Sequence, residues 1–256
     1  MNSGNLTDYK IVQISDCHVA ADRRADYRGL NADRALASLL PVIRRWQPDL
    51  ILASGDVSED ASPASYGRVA AALCSIGAPV LALPGNHDDP AVMRRYFQQG
   101  PWDGPLFSAA RGWQLVLLDS TARGEIGGSL PRDHLAALKA GLKRSASEHI
   151  MVALHHQPVP VGSPWIDRYA LKNPEWLLAL LDRDPRVRCI TWGHVHQEFS
   201  TRRGDVRLLG SPSSVANSIP GKQKFTLDVA GPACRWFRLH RGGELETGVL
   251  RAPPMM

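Results

Sequence analysis

Short apolar, β-branched runs alternate along the chain with longer stretches whose apolar positions recur at helical spacing. Lys10–Ser15 (KIVQIS) and Asp49–Ser54 (DLILAS) read as buried strands. Between them, Leu36, Leu39, Leu40, Ile43 and Trp46 fall on one face of a helix that Asn31 would cap. Pro41 inside that pattern predicts a kink. Ala64–Ile76 is a second helical pattern, Ala78–Pro84 a third strand and Trp113–Ser120 a fourth. A helix is expected over Pro131–Arg144, then strands over His149–His156 and Val187–His194, with a helix over Asn173–Asp184 between them. This βαβαβ order predicts a layered α/β architecture.

After Gln197 the pattern changes. Val206–Ser214, Lys222–Ala230, Ala233–Arg241 and Glu244–Arg251 read as consecutive strands joined by Gly-rich turns, of which "RGGE" is the clearest. The segment of about 200–250 is expected to complete a second sheet, and the final "APPMM" to fray. No internal repeat, low-complexity tract or evident linker interrupts the sequence, so a single domain over 1–256 is expected.

Composition adds little to that picture and removes some classes from it. The 256 residues are 44% hydrophobic, enough for a sizeable core. The net charge of +5 comes from interspersed acids and bases, which suits an anionic substrate without forming a basic stripe for nucleic acid. Cys17, Cys74, Cys189 and Cys234 are scattered without CxxC or disulfide-framework spacing. "MNSGNLTDYK" has no charged n-region or apolar h-region, and no apolar run approaches a membrane span. A reducing, cytoplasmic setting with no membrane partner is the simplest reading.

The chemistry sits where the strands stop. The first strand delivers "SDCH", with Asp16 and His18 two apart, so both side chains are expected to point the same way off an extended segment. The second delivers Asp56 in "SGD", the third Asn86 and His87 in "PGNHD". His155 and His156 follow in "LHHQP", and His194 and His196 in "WGHVH". Asp-x-His alone is ordinary surface decoration, and Gly-Asp after a strand an ordinary turn. In "GHVH", however, the glycine lets the backbone pass close to an ion while two imidazoles project to one side. Five strand ends in order, all bearing Asp, Asn or His, is a pattern that core packing does not require, and open α/β sheets gather ligands at those ends. The oxygens of Asp16, Asp56 and Asn86, with His18, one of the pair His155–His156, His194 and His196, form a nitrogen/oxygen donor set without thiolate. Such a set suits manganese, iron, zinc or cobalt. Seven donors are too many for one ion but suit two that share a carboxylate, the arrangement used for in-line displacement at phosphorus.

"SDCH", "GD", "GNHD", "HHQP" and "GHVH", spanning Ile11 to His196, resemble in order the motifs of the calcineurin-like metallophosphoesterase superfamily. "PWIDRYALKNPEWL", "GHVHQE", "GSPSSVANSIP" and "FTLDVAGPACRWFRLH" extend the likeness to its bacterial class III cyclic AMP phosphodiesterases. The resemblance implies a four-layered α/β/β/α sandwich of two mixed β-sheets. It also implies two divalent or trivalent metal ions, iron and/or manganese, with zinc or cobalt as alternatives. One ion would be held by Asp16, His18, Asp56 and His196, the other by Asp56, Asn86, His156 and His194. His156 is preferred to His155 because it lies two residues before Pro158; Gln157 departs from the family's usual proline or histidine. His87 would be the general acid, and a hydroxide bridging the ions would attack phosphorus in line, converting cyclic AMP to 5′-AMP. His18, Asp56, Asn86, His87 and His196 would also border the substrate. Asp88 is expected either to orient a neighbouring imidazole or, like Asp89, to cap the helix begun by "PAVMRRYF"; Asn217 is expected either to touch the sugar or base or to be an ordinary turn residue.

Three rivals remain on the sequence alone. A phosphodiesterase for glycerophosphodiesters or other small diesters would use the same metal motifs. A nuclease is disfavoured by the missing basic stripe, and a non-catalytic binding scaffold by the presence of all seven ligands and His87. Oligomeric state is not read from the sequence.

Overall fold

The structure, a computed structural model, describes residues 8–255. In chain order its first half contains β1 (Tyr9–Ile14), the hairpin β2 (Asp26–Tyr27) and β3 (Leu30–Asn31), α1 (Ala32–Trp46), β4 (Leu50–Ser54), α2 (Pro63–Cys74), β5 (Val80–Leu83) and α3 (Pro90–Met93). There follow β6 (Leu106–Ala110), β7 (Trp113–Leu117), α4 (Arg132–Arg144), β8 (His149–Leu154), α5 (Pro164–Asp167), α6 (Pro174–Leu181) and β9 (Val187–Trp192). The remainder is β10 (Phe199–Arg203), β11 (Val206–Gly210), β12 (Asn217–Ser218), β13 (Leu227–Asp228), β14 (Ala233–Leu239) and β15 (Leu245–Arg251).

The strands form a five-stranded sheet, β15-β14-β1-β4-β5, and a six-stranded sheet, β10-β11-β9-β8-β7-β6. β1, β4 and β5 run parallel, as do β7, β8, β9 and β11, while β14, β15, β6 and β10 add antiparallel edges. Parallel strands buried on both faces read as continuous apolar runs, and alternate residues serve opposite cores. Ile11, Leu50, Leu52, Leu81 and Leu83 face Trp113, Leu115, Leu117, Met151 and Ala153 across the inter-sheet core. Val12, Ile14, Ile51 and Ala53 turn the other way, onto Leu36, Leu39 and Ile43 of α1 and Val69 and Leu73 of α2. Val116, Ile150, Val152 and Leu154 likewise pack against Leu138, Leu142, Leu177 and Leu181 of α4 and α6. These three cores separate four layers, the expected α/β/β/α sandwich of two mixed sheets.

Two polar side chains cross the inter-sheet core. Gln13 Nε2 donates to Ser54 Oγ (2.8 Å) and to Trp192 O (3.1 Å), while Thr191 Oγ1 donates to Gln13 Oε1 (2.6 Å). The guanidinium of buried Arg235 on β14 donates to Gly210 O (2.9 Å) and Phe199 O (3.2 Å) of the other sheet. Buried polar groups persist when every donor finds an acceptor, and here they also tie one sheet to the other.

Several elements depart from the sequence reading. Asn31 caps α1 as expected, accepting from Arg34 N at 3.0 Å, and the helix continues past Pro41 to Trp46. β6 was not foreseen; it is only partly buried at an edge and lacks a clean apolar alternation. The 200–250 segment does not complete a single sheet. β10 and β11 extend the six-stranded sheet, whereas β14 and β15 extend the five-stranded one by pairing beside β1. The strand expected over Lys222–Ala230 shrinks to two residues, β13, because it joins neither large sheet and finds a ladder partner only in Asn217–Ser218. Among the described residues, no helix is long and apolar enough to cross a membrane.

Candidate metal centre

The carboxyl ends of β1, β4, β5, β8 and β9 come together at one end of the sandwich, and the loops that follow are laced across both sheets. Asp16 N donates to Gly55 O (2.9 Å), His18 N to Asp56 O (3.0 Å) and Gly193 N to His155 O (3.1 Å). His194 N donates to the Asp16 carboxylate at 3.0 Å, and His87 N to Asp56 Oδ1 at 2.9 Å. The turn at Pro84-Gly85 passes directly over Asp56: a Cβ at Gly85 would lie 2.2 Å from Asp56 Oδ1, so only glycine allows that approach.

Asp16 and His18 do not lie on extended backbone as expected. Asp16 (φ 54°), His18 (φ 44°), Asp56 (φ 49°), His194 (φ 66°) and His196 (φ 49°) all occupy the left-handed region. That conformation costs a non-glycine residue on the order of 1–2 kcal/mol. Its concentration in five chemistry-bearing positions marks backbone held for placement of side chains rather than for stability.

Donor atoms of Asp16, His18 and His196 lie within 4.8 Å of one another, as do those of Asp16, Asp56 and His155. His196 Nδ1 donates to Ala216 O (2.7 Å), which directs Nε2 toward Asp16 Oδ1 (3.3 Å). His18 Nδ1 contacts Glu59 Oε2 (2.6 Å), which directs Nε2 toward Asp56 Oδ2 (3.7 Å). Imidazoles whose far nitrogen is fixed by a carbonyl or carboxylate present the other lone pair in a defined direction, the usual support of a metal ligand.

The adjacent pair His155–His156 has donor atoms within 4.8 Å of one of His194, but the two rings meet different partners. His155 Nδ1 donates to Ser54 O (2.9 Å), and its Nε2 lies 3.3 Å from Asp56 Oδ2. His156 has both ring nitrogens engaged elsewhere, Nδ1 with Ser120 Oγ (2.9 Å) and Nε2 with Ile126 O (3.0 Å). Successive residues leaving a strand point to opposite sides, so only one can face Asp56, and it is His155. The buried atoms Asn86 Oδ1, His155 Nε2 and His194 Nε2 have no hydrogen-bond partner in the protein. Buried polar atoms without partners are uncommon, and three from residues grouped around Asp56 fit a cation as their shared acceptor of electron pairs.

The electrostatics point the same way. Burial works to raise the carboxyls of Asp16 and Asp56, yet His196 beside the first and His155 and His18 beside the second hold both below the usual range. Burial would lower His155, but Asp56 and Asp16 carry it up to about 9. Burial keeps His18 and His194 down, and burial with the neighbouring His155 keeps His156 down to about 3. The two buried carboxylates thus draw positive charge into the cluster, the demand that a metal cation meets.

A cavity of about 500 Å³ opens over this cluster, lined by His18, Asp56, Asn86, His87, His194 and His196 at its base. Those six include all five residues expected to border a substrate. Asp16 is buried behind them. Glu59, which the sequence reading missed, contacts His18 Nδ1 and also His87 Nδ1 (3.2 Å). No motif marks it; only its position three residues after Asp56 hints that it could turn back to the site. Asp88 does not orient an imidazole. Its carboxylate accepts from the backbone of Gly85 (2.9 Å), Ser58 (3.0 Å) and Val57 (3.2 Å), joining the two ligand-bearing loops. Burial and the nearby Asp56 raise it to about 6. Asp89 caps α3 as expected, accepting from Ala91 N at 2.8 Å. Asn217 is buried and bonds Ser213 and Gly231, a structural role rather than a contact at the cavity.

The model of the calcineurin-like phosphoesterase family matches residues 9–198. The chain is 40% identical over 243 residues to the 3′,5′-cyclic adenosine monophosphate phosphodiesterase CpdA of Pseudomonas aeruginosa, covering 94% of this chain and 89% of that protein. It is 35% identical over 245 residues to the enzyme of the same name from Escherichia coli, with the same coverage of 94% and 89%. In fold it is similar to a dimetal phosphatase from Danio rerio, with a TM-score of 0.71 at 17% identity over 96% of this chain and 99% of that one.

Proposed function

The chain belongs to the calcineurin-like phosphoesterase family, and from that membership we propose that it is a metal-dependent phosphodiesterase hydrolysing 3′,5′-cyclic AMP to 5′-AMP. The observation that carries this reading is the group of partnerless buried atoms, Asn86 Oδ1, His155 Nε2 and His194 Nε2, beside the Asp56 carboxylate at the base of an open cavity. Likeness over 94% of the chain to enzymes named for cyclic AMP supports the substrate.

Asp16, His18, Asp56 and His196 would hold one ion, and Asp56, Asn86, His155 and His194 a second, with Asp56 shared. His155 replaces His156 in the set expected from the sequence. Nitrogen and oxygen donors without thiolate favour iron or manganese, with zinc or cobalt as alternatives. Bound there, two such ions would lower the pKa of a water molecule and offset charge on the phosphate oxygens. The protein's own contribution is placement and a proton. His87, whose side chain is 34% exposed, reaches the cavity from the turn that also carries Asn86. Glu59 Oε2 lies 3.2 Å from its Nδ1, which leaves Nε2 as the nitrogen to pass a proton to the departing ribose O3′. The free thiols of Cys17, Cys74, Cys189 and Cys234 support a reducing compartment, the cytoplasm.

The test is hydrolysis by protein reconstituted with Mn²⁺ or Fe²⁺, wild type beside His87→Ala, on cyclic AMP, glycerophosphocholine and bis-p-nitrophenyl phosphate. Release of 5′-AMP that falls about 10²–10⁴-fold in the variant at unchanged metal content supports substrate and acid together. Cleavage of the aryl diester with cyclic AMP untouched refutes the nucleotide assignment.

A further inference from the structure

The cavity has a second region beyond its base, and that region is built from parts of the chain that carry no metal-ligand motif. The β2–β3 hairpin closes on Arg28-Gly29, both at positive φ (52° and 83°), with Tyr27 opposite Leu30. This is the tight two-residue turn that fits the twist of a hairpin. The Tyr27 ring lies flat on His18, centroids 3.8 Å apart and planes within 7°. Arg28 Nε donates to the Tyr27 hydroxyl (3.2 Å), and its guanidinium sits 3.9 Å from the centre of the Phe225 ring. Phe225 in turn meets Trp165 edge-to-face at 5.3 Å and His196 at 6.1 Å. Tyr27, Arg28 and Trp165 all line the cavity, and Arg28 remains exposed although one side of it is covered by Phe225. A planar cation that packs against an aromatic ring and also lines a cavity offers a stacking surface for a flat, electron-rich ring.

A 3′,5′-cyclic nucleotide has its phosphate and its base at opposite ends of a rigid fused sugar. With the phosphate at His18, Asp56 and His87, the base must lie toward the mouth. We propose that Arg28, seated on Phe225 and walled by Trp165, is the nucleobase platform of the site and sets its selectivity for cyclic purine nucleotides over diesters that lack a base. This rests on the phosphodiesterase reading above. Arg28 is a specificity-determining residue rather than a catalytic one: it need not touch the reacting atoms.

The test compares cyclic AMP with methyl ribofuranoside 3′,5′-cyclic phosphate, which keeps the sugar and phosphate but has no base. Wild-type, Arg28→Lys and Phe225→Leu proteins are assayed with both, after reconstitution with Mn²⁺. Arg28→Lys keeps the charge and loses the plane; Phe225→Leu keeps the arginine and loses its seat. In each variant the ratio of kcat/KM for cyclic AMP to kcat/KM for the base-free substrate falls about tenfold, on the scale of one lost base stack, and the change lies in KM for cyclic AMP. A fall of equal size on both substrates, or a ratio that does not move, overturns the platform. Wild-type enzyme that cleaves the base-free compound as well as cyclic AMP overturns it too, while the phosphodiesterase reading stands. Wild-type enzyme inert toward both cyclic compounds but active on an acyclic diester overturns both.

Discussion

Replacing Gln13 with leucine tests how the two sheets keep the candidate metal centre together. The side chain makes three buried hydrogen bonds, to Ser54 Oγ, Trp192 O and Thr191 Oγ1. A typical buried bond contributes a net ~0.5–1.5 kcal/mol, so losing three costs roughly 2–4 kcal/mol. Two partners find other bonds, since Trp192 O still accepts from Ser211 N (2.8 Å) and the single Thr191 hydroxyl proton, freed from Gln13 Oε1, can turn to Leu209 O (3.0 Å). Ser54 Oγ is left with Ile14 O at 3.5 Å, a poor substitute. Leucine recovers some apolar burial, which brings the expected loss to about 2–3 kcal/mol. For a chain of this size that is a drop in Tm of about 5–10 °C. Ser54 immediately precedes Gly55-Asp56, and Trp192 immediately precedes Gly193-His194, so a looser joint also displaces ligands carried by different sheets. Small misplacements of this kind cost up to about 10²-fold in rate. Equilibrium urea unfolding of Gln13→Leu, Thr191→Val and the double variant completes a cycle. The double variant is expected to be less destabilised than the sum of the singles by about 1–2 kcal/mol, because it leaves no unmatched partner across the pair. Additivity within about 0.5 kcal/mol, or a Gln13→Leu protein as stable as wild type, would refute the account of Gln13 as a joint.

Metal analysis of His155→Ala and His156→Ala separates the two neighbours: the first is expected to retain one ion per chain and the second two, and the reverse would restore the ligand set read from the sequence. Glu59→Gln removes the charge from the carboxylate that faces His18 and His87, and Mn²⁺ titration should show affinity about 10–100-fold weaker; unchanged affinity would dismiss Glu59 as a support of His18. Asp60 is held down to about 2 from 3.8: burial opposes this, but the backbone N–H groups of Ala21 and Ser62 and the Ser58 hydroxyl outweigh it. A depressed folded value means stability that is present above 3.8 and lost as pH falls toward 2, so Asp60→Asn should flatten acid unfolding in that window, and an identical acid limb would refute it.

The layered fold was legible because strands buried on both faces betray themselves as unbroken apolar runs, as in Leu50–Ser54 and His149–Leu154. The ligand-bearing turns were legible because each follows such a run. Where the sequence pattern is silent, the deciding interactions are between residues far apart in the chain. The orientations of His155 and His156 follow from the carbonyls of Ser54 and Ile126, which a rule counting residues to the next proline does not contain. Asp88 was misread because its partners are the backbone amides of another loop. Phe225 was hidden in a stretch patterned like a strand, and its place beside Trp165 and His196 follows from tertiary contact alone. The partition of the last strands between two sheets was equally silent, since alternation specifies a buried face but not which sheet supplies it.

The pairing of β14 with β1 has a consequence for the order in which the molecule can be finished during synthesis. β1 is made before the strands that flank it, with β4 following to cover one of its edges. Its other edge waits for Ala233–Leu239, made after every other described strand except β15. The carbonyls of Ser15 and Asp16 likewise wait for Ser214 N and Ser213 Oγ, and His196 for Ala216 O. A nascent chain therefore carries an open strand edge bearing Ile11, Val12 and Ile14 until β14 is made, the kind of surface on which unfinished chains associate. Translation that stops short of Ala233 yields a polypeptide that keeps every proposed metal ligand and still lacks the strand that closes β1.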